Sequence, residues 1–92
     1  MPATQQRAQE QDMEQHQREV LQALVAEQAM HTLGEPGNLL KVQIRRLWED
    51  RYRLNVFVGV DITSATVAHS FFLVADGEGN ILIATPAITR QY

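Results

Sequence analysis

Three oxygen-bearing side chains stand at alternate positions in the stretch ADGEGNILIA: Asp76, Glu78 and Asn80. This spacing is that of the first, third and fifth ligands of an EF-hand calcium loop. The sixth position of such a loop is glycine and the twelfth is a glutamate, but here they are Ile81 and Ala87. The sequence therefore predicts no dedicated calcium site.

A turn between two strands explains the same stretch better. Gly79 can take the positive φ that a short hairpin loop requires. Asp76 can accept hydrogen bonds from the backbone of the turn. We therefore predict a β-hairpin here, with these polar residues in its loop.

The three histidines do not form a catalytic or metal constellation. His16 and His31 are fifteen residues apart, too far along a helix to share a metal ion. His69 alternates with apolar neighbours, which is typical of a hydrogen-bonded core or interface residue. The sequence also contains no G-x-S-x-G elbow and no phosphate loop. We predict a protein that is not an enzyme and carries no cofactor or metal.

Length and composition indicate a single small domain. The chain has 92 residues and no cysteine, so disulfides cannot reinforce its thin core. The first fifteen residues are polar and do not resemble a signal peptide. No apolar run approaches the ~20 residues that a membrane span needs. We expect a cytoplasmic protein without a membrane segment.

A long N-terminal helix is the clearest predicted element. Residues 1–11 are rich in glutamine and predict a polar arm that is flexible or ordered by a partner, followed by a single domain at residues 12–92. Met13, Val20 and Leu24 fall on one helical stripe. Gly34 is placed to end the helix, with Pro36 two residues beyond.

Four strands are predicted after the helix. Residues 39–48 alternate as a strand, although Asn38 could also serve as the N-cap of a helix there. Residues 52–60 form the second strand, and two more follow, the last stopping near Pro86. The predicted fold class is α+β: one helix packed on a four-stranded antiparallel meander, a two-layer sandwich.

The predicted sheet is apolar on both faces, which one helix cannot cover. In the third strand, Val67, Phe71, Leu73 and Ala75 alternate with Phe72 and Val74; in the fourth, Ile81 and Ile83 alternate with Leu82 and Ala84. The uncovered set is predicted to be Phe57, Phe72, Val74 and Leu82, surrounded by the basic residues Lys41, Arg45 and Arg53. A contiguous patch of this kind is typical of an interaction surface.

The distribution of charge along the chain indicates which kind of partner the open sheet face could bind. Net charge is −3, but residues 38–55 hold five basic and two acidic residues (+3), whereas residues 1–37 hold two basic and six acidic ones (−4). We predict a homodimer formed through the open sheet face, either sheet on sheet or with the acidic helix of a second copy. The alternatives are single-stranded nucleic-acid binding, against which the negative net charge counts, and an apolar ligand between helix and sheet.

Overall fold

A computed structural model describes the backbone of residues 2–92 and the side chains of residues 14–92. The predicted arm at residues 1–11 lies outside the residues whose side chains are described. The elements in chain order are α1 (Pro2–Leu33), β1 (Leu39–Trp48), β2 (Arg51–Val58), a 3₁₀ turn (Ile62–Ser64), β3 (Thr66–Ala75) and β4 (Ile81–Thr85). The predicted α+β class, with one helix and a four-stranded antiparallel sheet, is confirmed.

Helix α1 ends at the predicted position. Gly34 has φ +89°, and its N–H donates to the Met30 carbonyl at 2.8 Å. A residue with a side chain would be strained there, so glycine stops the helix. Within the helix residues that the structure describes, no stretch has the length and apolar content needed to cross a membrane.

The sheet is a simple meander in the order β1-β2-β3-β4, with every neighbouring pair antiparallel. Residues 39–48 form a strand, so the helical alternative for this segment is wrong. The β1–β2 connection is a tight turn at Glu49 and Asp50, in which Glu49 takes a positive φ of 46° instead of a glycine.

The core lies between α1 and one face of the sheet, which we call the helix face. Its fully buried side chains come from α1, β2 and β3: Val25, Ala29, Leu33, Tyr52, Leu54, Val56, Phe71, Leu73 and Ala75. Burial raises the pKa of the Tyr52 hydroxyl, with the positive charge of Arg46 opposing the shift. The buried residues of α1 recur every four positions, which places them on one side of the helix. Those of the strands recur every two positions, which places them on one side of the sheet.

The C-terminal segment completes the cover of the helix face. The N–H groups of Gln91 and Tyr92 donate to the Leu33 carbonyl at 2.8 and 3.3 Å. Ile88 packs against the core, and the Tyr92 hydroxyl lies 2.8 Å from Nε2 of His69. One face of the sheet is thus closed by a helix and a tail.

Irregular pairing between strands changes which residues share the opposite face. The β3–β4 register shifts between Val74 and Ala75, so Val74 pairs with Ile83 and Leu82 is left over. A second shift in β2–β3 pairs Phe57 with Val67. Each bulge adds one residue to a strand and reverses the facing of the residues beyond it. Strict alternation therefore misplaced Val67 and Ile83 on the helix face and Leu82 and Ala84 on the opposite one.

Candidate interaction surface

The sheet face opposite α1, here called the open face, is bordered by the 3₁₀ turn at one end, and none of the described core residues of α1 or the C-terminal segment packs on it. Directly opposed residues in antiparallel strands point to the same side, so the register defines this face. From β1 to β4 it consists of Lys41, Gln43, Arg45, Trp48, Arg51, Arg53, Asn55, Phe57, Val67, Ser70, Phe72, Val74, Ile83 and Thr85.

A row of four side chains, one from each strand, crosses the sheet at the end nearest the β1–β2 turn. Its members are opposed in the order Trp48, Arg51, Val74 and Ile83. The Trp48 ring is 53% exposed and lies 6.1 Å from the ring of Phe72, tilted by 45°. The Arg51 guanidinium lies 5.6 Å from the Trp48 ring centroid, a cation–π contact.

Two arginines face one another in the middle of the open face. Arg45 and Arg53 are direct cross-strand partners, and both are exposed. Like charges placed opposite each other in a sheet are destabilising. The salt bridges of the described residues involve Arg51, which pairs with Asp50 at 2.9 Å and more loosely with Glu49. The Arg45–Arg53 pair therefore adds a local positive charge without a carboxylate beside it.

Polar side chains next to this pair form a short network. Nη1 of Arg53 donates to the Ser70 hydroxyl at 3.4 Å, and that hydroxyl donates to Oδ1 of Asn55 at 2.7 Å. The network leaves most donors of the guanidinium free to meet an acceptor from outside. This region can bind an anionic group by hydrogen bonds as well as by charge.

Phe57 lies at the far end of the open face, beside the β2–β3 connection. Nζ of Lys41 lies 5.9 Å from the Phe57 ring centroid. Leu40, Ile62 and Ala65 complete a hollow of about 400 Å³ around these two residues.

The connection beside the hollow is held in place by its own capping hydrogen bonds. Oδ1 of Asp61 accepts the N–H groups of Thr63 and Ser64, each at 3.0 Å. Together with the hydroxyl of Thr63, these donors lower the pKa of the Asp61 carboxyl. The loop that borders Phe57 is therefore built locally, without help from the rest of the sheet.

The open face contains six of the seven residues that the sequence predicts for the interface and the basic patch. Phe57, Phe72 and Val74 are there and half-buried, with Lys41, Arg45 and Arg53 among them. Leu82 is not: it lies at the sheet edge and lines a hollow with Gln28 and Thr32 of the helix.

Of the large apolar, aromatic and charged residues of the open face, sequence reasoning missed four: Trp48, Arg51, Val67 and Ile83. The signal for Trp48 was the two-residue turn after it, which fixes its pairing with Arg51. Val67 and Ile83 follow bulges, for which the alternation in the sequence gives no sign.

The loop considered for calcium is a self-contained turn. Oδ1 of Asp76 accepts the N–H groups of Glu78 and Asn80, each at 2.9 Å. These bonds, the one from Asn80 first, lower the pKa of the Asp76 carboxyl. Gly79 has φ +88°, and a Cβ on it would lie 2.8 Å from Cβ of Leu24. The predicted roles of Asp76 and Gly79 in a hairpin turn are confirmed.

His69 has the predicted structural role. Its ring lies parallel to that of Phe71, with 6.0 Å between centroids, and hydrogen-bonds to Tyr92. Among residues 14–92, no group of three or more histidine, aspartate or glutamate side chains is placed to hold a metal ion.

The hollows along the helix have mixed linings. The one between Leu24 and Asn80 has a volume of about 350 Å³, and Glu27, Gln28 and Glu78 border it. A second, of about 340 Å³, is lined by Ile81, Leu82 and Ile88 beside Gln28 and Thr32. Both are open to solvent, so neither is the enclosed apolar cavity that the third functional hypothesis, an apolar ligand between helix and sheet, requires.

No protein-family model matches the chain, and comparisons with curated proteins and with solved structures find no match either.

Proposed function

We propose that this chain is a small interaction module that self-associates through the open face of its sheet, which receives the acidic helix of a second copy. The observation that carries the proposal is the Arg45–Arg53 pair, which stands beside the rings of Trp48 and Phe72 with no carboxylate next to it. An apolar patch with such a centre favours a partner that is both apolar and anionic.

Stacking two open faces directly on each other fits these charges poorly. A two-fold axis through the centre of the face would bring Arg45 and Arg53 close to their own copies in the partner. Burying like charges against one another costs several kcal/mol, roughly as much as a good hot-spot residue contributes. The sheet-on-sheet form of the dimer is therefore the weaker of the two arrangements.

The helix offers the complementary charge. Between Glu14 and Leu33 it carries three carboxylates, on Glu14, Glu19 and Glu27, against the single cation of Arg18. All four side chains are exposed, as are the apolar side chains of Val20 and Leu24. A helix presenting both types can place its apolar groups on Trp48 and Phe72 and its carboxylates near the arginines.

Charge-reversal variants and their mixture test this arrangement. Arg45→Glu/Arg53→Glu reverses the face, and Glu14→Lys/Glu19→Lys/Glu27→Lys reverses the helix. We expect the wild-type chain to associate at about 0.1 mM in analytical ultracentrifugation, and each variant alone to lose the face contact. Mixing the two variants should restore it as a mixed assembly, because the helix of each variant then meets a face of opposite sign on the other.

Arg90→Glu is the control, since it makes the same type of charge reversal at one exposed residue outside the open face. It should associate as the wild type does. A wild-type monomer at about 0.1 mM, or a mixture that stays unassociated, contradicts the proposal. Association that grows stronger with added salt also contradicts it, since ion pairs weaken under screening.

Single-stranded nucleic acid is a second candidate for the same face, supported by the Trp48–Phe72 pair with Arg51 above the indole. Aromatic rings among cations are a stacking platform for bases. Trp48 is the sole tryptophan, so its fluorescence reports directly on the face. Salt-sensitive quenching by a labelled single-stranded oligonucleotide, from a protein that stays monomeric, would favour this candidate over self-association.

A further inference from the structure

The two edges of the sheet differ in a way that points to a second contact. The edge strand β1 carries Lys41, Arg45 and Arg46, and its pairing with β2 is irregular near both ends. Charged side chains and bulges are the usual means by which a sheet edge is kept from pairing with another chain. The β1 edge is thus protected.

The other edge strand, β4, has none of this protection. Its sequence, ILIAT, contains no charged residue and no proline. Leu82 and Ile83 are 62% and 58% exposed. In the part of the chain that the structure describes, no backbone group outside β3 hydrogen-bonds to β4. Its outer edge therefore presents unpaired peptide groups next to apolar side chains, a template for another extended strand.

A side chain of α1 limits how far along β4 another strand can form backbone hydrogen bonds. The N–H of Ile81 donates to Oε1 of Gln28, which reaches across from α1. The strand beyond Ile81, from Leu82 to Thr85, has no such cap. The chain turns away after Thr85, through Pro86, toward the end of the helix. The available edge is short and its limits are set by the fold.

We propose that β4 pairs with β4 of a second copy, antiparallel about a two-fold axis at Ile83, to give a continuous eight-stranded sheet. This register opposes Ile83 to its own copy and Leu82 to Ala84 of the partner subunit. The pairs are apolar, and a large side chain meets a small one. The β1 strand of a second copy is a poorer occupant, because its cations would have no counter-charge along β4.

The axis that relates two antiparallel edge strands is perpendicular to the sheet. It keeps both helices on one side and both open faces on the other. The row of Trp48, Arg51, Val74 and Ile83 would then run on through Ile83 of the partner subunit. The edge contact is therefore distinct from the face contact proposed above, and a chain with both forms assemblies larger than a dimer.

Single cysteines test the register, because the chain has none of its own. Opposed residues in antiparallel strands have Cα atoms about 4.5–5.5 Å apart, within disulfide range. Ile83→Cys should form a disulfide-linked dimer under mild oxidation at low micromolar concentration. Leu82→Cys should not, since each copy of it lies diagonally from the other at about 7–8 Å. Both side chains are exposed, so neither change should unfold the protein.

Strand-blocking variants test whether the contact exists without cross-linking. Ile83→Lys should reduce the largest species by a factor of two in analytical ultracentrifugation. The matched control is Val60→Lys, an exposed apolar residue in the β2–β3 connection, outside both β4 and the open face. Combined with Arg45→Glu/Arg53→Glu, which removes only the face contact, Ile83→Lys should leave a monomer.

The outcomes separate the two contacts. If the face-reversed protein is still a dimer and Ile83→Lys makes it monomeric, the edge contact stands even where the face proposal has failed. If cross-linking fails at position 83, or is as fast at position 82, the proposed pairing is overturned. Equal loss of assembly from Val60→Lys and Ile83→Lys overturns it as well.

Discussion

Both faces of the sheet carry apolar side chains, but the two faces end in different states. The helix face contributes Leu54, Val56 and Leu73 to a core closed by α1 and the C-terminal tail. The open face interleaves its apolar residues with cations and leaves Trp48 half exposed. Burial of these side chains distinguishes the face that stabilises the fold from the face available for binding.

Two adjacent phenylalanines of β3, Phe71 and Phe72, show the difference in burial between the two faces. Phe71 points into the core and is 4% exposed, while Phe72 points to the open face beside Trp48. The two side chains are chemically identical and share one strand. Any difference in the effect of removing them reports on the faces and not on the residue type.

The largest expected effect is therefore a difference between two substitutions. Phe71→Ala removes a buried ring and should lower the free energy of unfolding by about 3–5 kcal/mol. Phe72→Ala should lower it by only about 1 kcal/mol while weakening self-association. Urea unfolding at a concentration where the chain is monomeric measures both values.

Because a small domain has little stability in reserve, Phe71→Leu serves as the milder core variant if Phe71→Ala does not fold. Its loss should still exceed that of Phe72→Leu. Equal losses for the two positions in the monomer would show that the open face is covered by the chain itself, and the comparison of faces would then fail.

The fold class can be predicted from the sequence because the spacing of apolar residues identifies a helix or a strand even when its ends are misplaced by one or two residues. The helical stripe of α1 and its stop at Gly34 are local signals. Four segments in which apolar and polar residues alternate predict four strands, and the short turns between them leave each strand next to the one before it in the sequence. The result is an antiparallel meander.

The membership of the open face depends on register, which the sequence signals weakly. A bulge adds one residue, and each later side chain changes face. Leu82 and Ile83 are of similar size and polarity, so hydrophobicity does not say which one faces Val74. The bulge is determined by contacts between distant parts of the chain, including Gln28 of the helix capping Ile81. Sequence reasoning therefore found the face and six of its fourteen residues, but not Ile83 at its edge.

A smaller effect is expected where the helix is joined to the edge strand. Gln28→Met keeps the length of the side chain but removes the acceptor for the Ile81 N–H. The loss of one hydrogen bond should cost about 0.5–1.5 kcal/mol. Amide hydrogen exchange should also speed up at Ile81, on the helix side of the hairpin, and stay unchanged at Phe72, whose amide lies in an inner strand.

Gln22→Met is the control for this change, because Gln22 is also half-buried on α1 and accepts no hydrogen bond from the described part of the sheet. It should leave the exchange rate at Ile81 unaltered. Unchanged exchange in Gln28→Met would mean that the helix does not hold the edge strand, and that the two faces are less firmly distinguished than the packing indicates.

The smallest expected effect is a difference in how the two sides of the molecule respond to acid. Arginine side chains cannot be deprotonated in proteins, so an acid response of the monomer has to come from other groups. The Asp76 carboxylate, in the turn beneath the helix, has its pKa lowered by hydrogen bonds from the backbone, chiefly from Asn80. An unfolded chain takes up this proton near pH ~3.9, before the folded protein does. The unfolded state therefore binds more protons below about pH 4, and stability falls as the pH drops through the lowered pKa.

Asp76→Asn keeps an acceptor oxygen in the turn but removes the titrating charge. Its unfolding midpoint should change less between about pH 7 and pH 3 than that of the wild-type chain, while Glu78→Gln, in the same turn, should keep the wild-type slope. Asp61, whose pKa is lowered in the same direction, should supply part of the slope that remains. The contrary result would be a flatter acid response in Arg45→Glu/Arg53→Glu and an unchanged one in Asp76→Asn. In that case the charges that stabilise the fold would lie on the open face, and the two faces would not differ in the way proposed.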